Sequence, residues 1–373
     1  MLLAIGAYFC SGLAVWAQTS DSQTSDANKS WTDTTESQRD NANPTRTVES
    51  HTQSGNRTLD NQSVQRRGSD GRFEPYQDIE KATVQVDAAT VRITTRTFGR
   101  DADGAKTLVQ VTEEERHARP GGDSYVVRAT SNPDANGNLQ LVQREIAQTK
   151  KTGKDVEETK TTVMLPSSNG GLAPAMMVQE RRKQGTNDTV ESQKTTSLPD
   201  VNGNWQVSEV EQATTRQEGK NSSTEKRVSR PDSEGNLSEV SRTVSKESEN
   251  APGEKRNTVE TYSVDMPGAT RDGSLHMVER SNTAQSTSST GQQNTKRQVE
   301  KPDPGNPDAG LRVTIVTTDT VRPGSSGAQA TQTIQMRDAN GSLGVVFVDT
   351  TKSDNTHAVQ VQIAPTAPSE KPK

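Results

Sequence analysis

One short phrase recurs along the sequence and sets the period of any fold that the chain can adopt. It reads PDANGNLQLVQRE from Pro133, PDVNGNWQVSEVE from Pro199, PDSEGNLSEVSRT from Pro231 and RDANGSLGVVFVD from Arg337. If the residue after each turn is taken as an anchor, the anchors are 31 to 38 residues apart. These anchors are Leu108, Leu139, Leu172, Trp205, Leu237, Leu275, Leu311 and Leu343. A nearly fixed period of this length indicates one supersecondary unit repeated about eight times.

A second turn follows each anchor, so each unit reads strand, turn, strand, turn. Its glycines are Gly121, Gly153, Gly185, Gly219, Gly253, Gly291 and Gly324. Val is commoner than Leu and Thr is abundant, and these β-branched residues favour a pleated strand over a helix. The Asn-Gly and Asp-Gly dipeptides tolerate the positive φ that tight hairpins require. The sequence therefore predicts an all-β antiparallel meander of roughly sixteen strands.

The supply of apolar side chains limits how this sheet can be covered. Only 27% of the residues are hydrophobic and 3% are aromatic, too few for an ordinary two-layer core. We therefore expect an elongated sheet, single-layered or curled, held by its backbone ladder and by cross-strand pairs. An open sheet and a closed ring are both compatible with the pattern. A transmembrane barrel needs an apolar band with two aromatic girdles, and 3 Trp, 4 Tyr and 4 Phe cannot supply them.

The two ends of the chain differ from the repeats. Residues 1–17 are apolar, with Val15 and Ala17 placed for cleavage, and predict a secretory signal peptide; the alternative is a segment that is kept as an anchor. Residues 18–75 are rich in Ser, Thr, Asn, Gln and Asp and predict a disordered spacer. The repeat domain is expected over 76–364 and a Pro/Lys-rich tail over 365–373. The predicted location is secreted, periplasmic or on the cell surface, with no transmembrane span in the mature chain.

The composition argues against most kinds of binding chemistry. The 44 basic and 49 acidic residues leave a net charge of −5, so no basic surface for nucleic acid is expected. The single cysteine, Cys10, lies in the predicted signal peptide, and no spacing of metal ligands or phosphate-binding motif occurs. The turns at Asp101 and Asp134 suggest calcium, but a calcium loop counted from Asp134 would need Gly where Leu139 stands. We predict no cofactor, no metal site and no catalytic residue.

One alternative is enzymatic. The sequence GDS at 122–124, GTND at 185–188 and DNTH at 354–357 resembles, in order, the GDS, GxND and DxxH blocks of GDSL or SGNH serine hydrolases. The resemblance implies Ser124 as nucleophile, His357 as base, Asp354 as orienting acid and Asn187 as oxyanion donor. All three blocks lie at the same phase of the repeat, so the composition of the second turn accounts for them without catalysis.

The turn sequence also carries a resemblance to a structural family. The phrase DxxGNL, at Asp134 to Leu139 and Asp232 to Leu237, is similar to the turn of YD or RHS-type hairpin repeats in bacterial secreted proteins. The likeness covers the turns only, and the chain as a whole resembles uncharacterised exported bacterial β-hairpin-repeat proteins. It implies a non-catalytic scaffold or an interaction module of the cell surface or envelope. Its partner would be a protein or a matrix or envelope component, contacted through sheet edges and the long polar face.

Overall fold

The computed structural model describes residues 28–39, 45–67, 72–101, 103–153, 155–186, 188–265, 273–303, 305–324, 327–338 and 340–353. These residues form twenty β-strands and one short 3-10 turn, Pro120–Gly122. The strands are β1 (Asn28–Arg39), β2 (Thr45–Ser54), β3 (Arg57–Arg67), β4 (Phe73–Gln85), β5 (Thr90–Arg100), β6 (Lys106–Ala118), β7 (Ser124–Pro133), β8 (Leu139–Lys151), β9 (Val156–Pro166), β10 (Leu172–Gln184), β11 (Thr189–Pro199), β12 (Trp205–Glu218), β13 (Asn221–Pro231), β14 (Leu237–Ala251), β15 (Glu254–Ser263), β16 (His276–Thr287), β17 (Gln293–Asp303), β18 (Asn306–Gly324), β19 (Gly327–Arg337) and β20 (Leu343–Ser353).

Each strand pairs antiparallel with the next one in the chain, which confirms the predicted all-β meander. β20 pairs with β1 as well, over seven residue pairs from Asp33 and Ser353 to Arg39 and Phe347. Every described strand therefore has a neighbour on both sides. The sequence pattern did not decide this, because it was compatible with both an open sheet and a closed ring. No free strand edge remains among the described strands for the edge contacts expected from the sequence.

The prediction of a disordered spacer over 18–75 is wrong for the described part of that segment, which contains β1, β2, β3 and the start of β4. Polar cross-strand pairs accompany the ladder here. His51 Nδ1 lies 2.6 Å from Asp60 Oδ1, and Gln62 donates a hydrogen bond of 2.7 Å to Glu49. A strand whose two faces are both polar shows no hydrophobic alternation, so its composition is the same as that of a disordered spacer. The predicted signal peptide at 1–17 and the tail at 365–373 lie outside the described residues.

A β-bulge recurs at the same level in all nine even strands from β4 to β20. One residue of each strand is skipped in the pairing with the preceding strand, and these residues are Tyr76, Val109, Val142, Ala175, Ser208, Val240, Val278, Thr314 and Val346. The hydroxyls of Ser208 and Thr314 donate to the carbonyls of Thr196 and Val299 across the ladder, each at 3.1 Å. Bulges add twist and bend a strand, so the sheet is bent along one continuous level.

The bulges also correct the repeat alignment, because each lies three residues after the true anchor. In the first predicted unit the bulge Val109 makes Lys106 the anchor, and not Leu108. The bulge at Tyr76 adds a ninth unit whose anchor is Phe73. With these changes the first four intervals between anchors are all 33 residues, which is more regular than the alignment on apolar residues.

The sheet has little buried apolar surface. The buried hydrophobic residues described are Val111, Val163, Val178, Val210, Val299, Val316 and Ala330. Polar pairs between neighbouring strands also stabilise the sheet, for example the hydroxyls of Thr149 and Thr159, which lie 2.9 Å apart. Lys106 covers the ring of Phe98 at 4.0 Å and contacts Glu80 at 2.6 Å. Each such pair contributes roughly 0.2–1 kcal/mol, so stability is spread over many small terms.

Candidate interaction surface

The anchors lie in one row at one end of the sheet. Odd strands all end where even strands begin, so the turns that precede the anchors share an end, called here the anchor end. Cross-strand partners share a face and side chains alternate along a strand. The register then places the anchors on a single face, called here the anchor face. The anchors on this face include Leu139, Leu172, Trp205, Leu237, Leu311 and Leu343.

Four of these anchors pair with a proline that ends the preceding strand, as Pro133 pairs with Leu139. Leu311 pairs with Pro302, one residue before the end of β17. The next pair toward the turn is hydrogen-bonded, because Asp134 N donates to Asn138 O at 2.8 Å. In an antiparallel ladder, hydrogen-bonded pairs alternate with pairs that make no such bonds and whose side chains lie closest. Proline lacks an N–H, so it fits this position without losing a ladder bond.

Much of the anchor row is exposed to solvent. Leu139 is 51% exposed and Leu237 is 53% exposed. A second exposed apolar residue follows two positions later on the same face in three strands. We call these seven exposed side chains the anchor rim: Leu139, Leu141, Trp205, Val207, Leu237, Leu343 and Val345. Exposed apolar side chains gathered in one place are typical of interaction surfaces.

The turns beyond the rim are built around an aspartate. Asp134 Oδ1 accepts hydrogen bonds from the backbone N–H groups of Asn136 at 2.8 Å and Asn138 at 2.9 Å. Gly137 has φ of 82°, in the region that favours glycine. The same pair of bonds occurs at Asp101, Asp200, Asp232 and Asp338. The backbone bond from Asn138, followed by that from Asn136, holds the pKa of Asp134 below its ordinary value. These carboxylates therefore cap their own turns, which explains the residues that suggested calcium.

Most of the well-defined turns at the anchor end are acidic. Six five-residue tips, at 101–105, 134–138, 167–171, 200–204, 232–236 and 338–342, contain seven acidic residues and no basic ones. The acidic residues are Asp101, Asp103, Asp134, Asp200, Asp232, Glu234 and Asp338. At the opposite end, the turns at 86–89, 119–123, 152–155, 185–188, 219–220 and 288–292 contain four acidic and three basic residues. These six tips thus combine a single sign of charge with the exposed apolar side chains beside them, whereas Arg72 and Arg271 lie in the segments that precede β4 and β16.

The other face contains two strongly paired glutamates. Glu114, which is 6% exposed, contacts Arg116 and lies 2.6 Å from Arg128, which also reaches Glu145 at 3.1 Å. Glu211 contacts Lys194 at 2.9 Å and Lys226. Burial would raise the pKa of both glutamates, but the hydrogen bonds from their cationic partners outweigh it and lower each pKa. Each cluster links three neighbouring strands and therefore stabilises the sheet.

Asp319, also on that face, is a buried carboxylate with one bond. It is 4% exposed, and Oδ1 accepts a hydrogen bond of 2.7 Å from Gln332. Oδ2 is buried without a hydrogen-bond partner in the described part of the chain. Burial raises the pKa of Asp319 above its ordinary value, and the bond from Gln332 offsets this only in part.

The residues of the hydrolase hypothesis are not assembled by the described structure. Ser124 begins β7 and pairs with Ala118 and Thr149. The neighbouring Asp123 accepts a hydrogen bond of 2.9 Å from the backbone N–H of Lys151, so it fastens the turn to β8. The other three proposed residues, Asn187, Asp354 and His357, lie outside the described residues. A polar cleft of about 850 Å³ at the opposite end includes Gly185 and Asp188 among its lining residues, but not Ser124.

Two further observations concern the described residues only. They contain no group of three or more His, Cys, Asp or Glu side chains arranged to hold a metal ion. None of the helical segments they contain is long and apolar enough to cross a membrane.

Comparison with known proteins gives distant likenesses. No protein-family model matches the chain, and no curated protein matches it. Among solved structures, the chain is similar to the copper transporter OprC, with a TM-score of 0.47 and 7% identity over 88% of this chain and 80% of that one. It is also similar to OccK5 (OpdH) of Pseudomonas aeruginosa, with a TM-score of 0.41 and 10% identity over 87% and 97% of the two chains. OmpF of Salmonella typhi gives a TM-score of 0.35 and 8% identity over 88% and 97%.

Proposed function

We propose that the chain is an exported, non-catalytic repeat scaffold that binds a protein partner at the cell surface or in the envelope through its anchor rim. The observation that carries this proposal is the concentration of exposed apolar side chains on one face at one end of the sheet. The paired strands leave no free edge in the described sheet, so contacts must use a face or a turn end. The apolar leader at residues 1–17 supports export.

Position-specific crosslinking tests this function. A photo-crosslinking amino acid replaces Leu237 in the rim or, as the matched control, Val86, which is 48% exposed in a turn at the opposite end. Both proteins are produced in the native cells and irradiated. We expect a discrete adduct from position 237 and none from position 86. Absence of an adduct at 237, or equal adducts at both positions, would contradict binding through the rim.

A further inference from the structure

The dimensions of the anchor rim specify what it can bind. Strands lie about 4.8 Å apart, and anchors of successive units are two strands apart, so neighbouring anchors are separated by about 10 Å. Along β8, Leu139 and Leu141 are two residues apart, which is roughly 7 Å. The apolar surface is therefore a long strip, only one or two side chains deep. From Leu139 on β8 to Leu237 on β14 it crosses seven strands, or about 29 Å.

An α-helix fits this spacing better than an extended chain. A helix rises about 1.5 Å per residue, so residues seven apart lie on the same side and about 10.5 Å from each other. An extended segment places its same-side residues about 7 or 14 Å apart, which does not match the interval of about 10 Å. Apolar residues at heptad spacing could therefore meet successive anchors along the strip.

The charge beside the strip defines the polar part of the partner. The acidic tips lie immediately beyond the rim, and no basic residue occurs in those six tips. Asp134 and Asp200 stay ionised at neutral pH, because backbone hydrogen bonds lower the pKa of each carboxyl group. A helix lying on the strip would present Lys or Arg along the edge that faces the tips. A second copy of this chain is disfavoured, because apposing two anchor ends would bring like charges together.

We infer that the anchor rim binds a cationic amphipathic helix of a protein partner, with its apolar residues on the anchors and its basic residues beside the acidic tips. This inference rests on the proposed function and specifies its partner. It also explains why exposed leucines and acidic turns occur at the same end of the sheet.

Peptide binding to the full chain tests the inference. The probe is a fluorescent 21-residue amphipathic helix with leucines at heptad spacing and lysines along one flank, and the comparison peptide carries glutamates in place of the lysines. We expect the lysine peptide to bind at least tenfold more tightly at low salt, and its advantage to shrink at 0.5 M salt. Equal binding of the two peptides, or no binding of either, would overturn the inference.

Variants separate the apolar and charged contributions. Leu139→Ser together with Leu237→Ser should weaken binding at least tenfold, whereas Leu198→Ser should not, because Leu198 is 45% exposed at the same end but on the other face. Asp103→Asn with Glu234→Gln should weaken binding about threefold and flatten its salt dependence. A loss of binding in Leu198→Ser equal to that in the double variant would refute binding on the anchor face.

Two other occupants are distinguished in the same samples. Binding to phosphatidylcholine vesicles with phosphatidylglycerol but not to the lysine peptide would assign the rim to a lipid surface. Rim-dependent dimerisation in sedimentation without peptide binding would assign it to a second copy. Either result overturns the cationic helix. An adduct at position 237 without peptide binding would leave the proposed function standing and remove only this partner.

Discussion

Replacing Glu211 by Gln tests whether ion pairs between strands replace a core in this sheet. Glu211 lies on β12 and is bound by Lys194 from β11 and Lys226 from β13. Its side chain is 19% exposed, and those of the two lysines are 32% and 46% exposed. A hydrogen bond to a charged group contributes about 1.5–3 kcal/mol when it is shielded, and water around the lysines reduces this. For the loss of both contacts we expect a decrease of about 2 kcal/mol in the free energy of unfolding.

The dependence on pH identifies the charge as the cause. The pKa of Glu211 in the fold lies below its ordinary value of 4.5 because the lysine bonds outweigh burial. A lowered pKa contributes stability that is present above the unfolded value and lost as the pH falls through the folded value. The difference between wild type and Glu211→Gln should therefore be complete at pH 7 and should shrink below about pH 4.5.

Urea unfolding followed by circular dichroism measures both effects. Glu225→Gln on the adjacent strand is the matched control. Glu225 is 40% exposed and, among the residues that the structure describes, its ion pair is with Arg227 of its own strand, so we expect no measurable change. The reasoning fails if Glu211→Gln is as stable as wild type at pH 7. It also fails if the difference is undiminished at pH 3.

Three further predictions concern a turn, a buried acid and the start of the mature chain. Gly137→Ala should cost about 1 kcal/mol in urea unfolding because an L residue is strained at its φ of 82°, whereas Gly171→Ala, which meets open space without a positive φ, should cost nothing. Asp319→Asn should raise the melting temperature at pH 7, because the raised pKa of Asp319 means that the fold disfavours its charged form. This gain in melting temperature should vanish below about pH 3.8, where the carboxyl group is protonated in both the folded and the unfolded chain. A variant that is less stable than wild type at pH 7 would refute this prediction. Mass spectrometry of the exported protein should find its first residue near Gln18, and an intact Met1 would contradict cleavage.

The turn chemistry made most of the fold predictable. The Asp and Gly of each turn signal the same local structure in every unit, so the strands and their antiparallel order followed directly. The sequence does not reveal the first strands, because β2 and β3 are polar on both faces and show no alternation of apolar and polar residues. The pairing of β1 with β20 joins residues more than 300 positions apart, and no local pattern encodes such a contact.

The interaction surface was only partly visible in the sequence. The sequence indicates most of the anchors but not that they share one face. A bulge three residues after each anchor reverses the alternation of side chains, so the sequence does not show which side chains lie on the same face. The sequence does not mark Lys106 as an anchor, because Lys106 is charged and the apolar Leu108 lies two residues further on. The bulge residues themselves vary from Val to Ser and Tyr, so only the pairing register reveals them.

The hairpin between β5 and β6 argues that the apolar anchors serve something other than turn formation. It forms the same tip, with Asp101 capping its own turn and Gly104 at φ of 79°, yet its strand-ending pair is Arg100 and Lys106. Since the turn forms without an apolar pair, the exposed Leu237 is not needed for its hairpin. Leu237→Lys, which copies the charged anchor, should therefore melt at the wild-type temperature and lose binding to the lysine peptide. A lowered melting temperature would mean that the apolar anchors stabilise their hairpins. The presence of exposed apolar residues in the rim would then be explained by folding, without a binding partner.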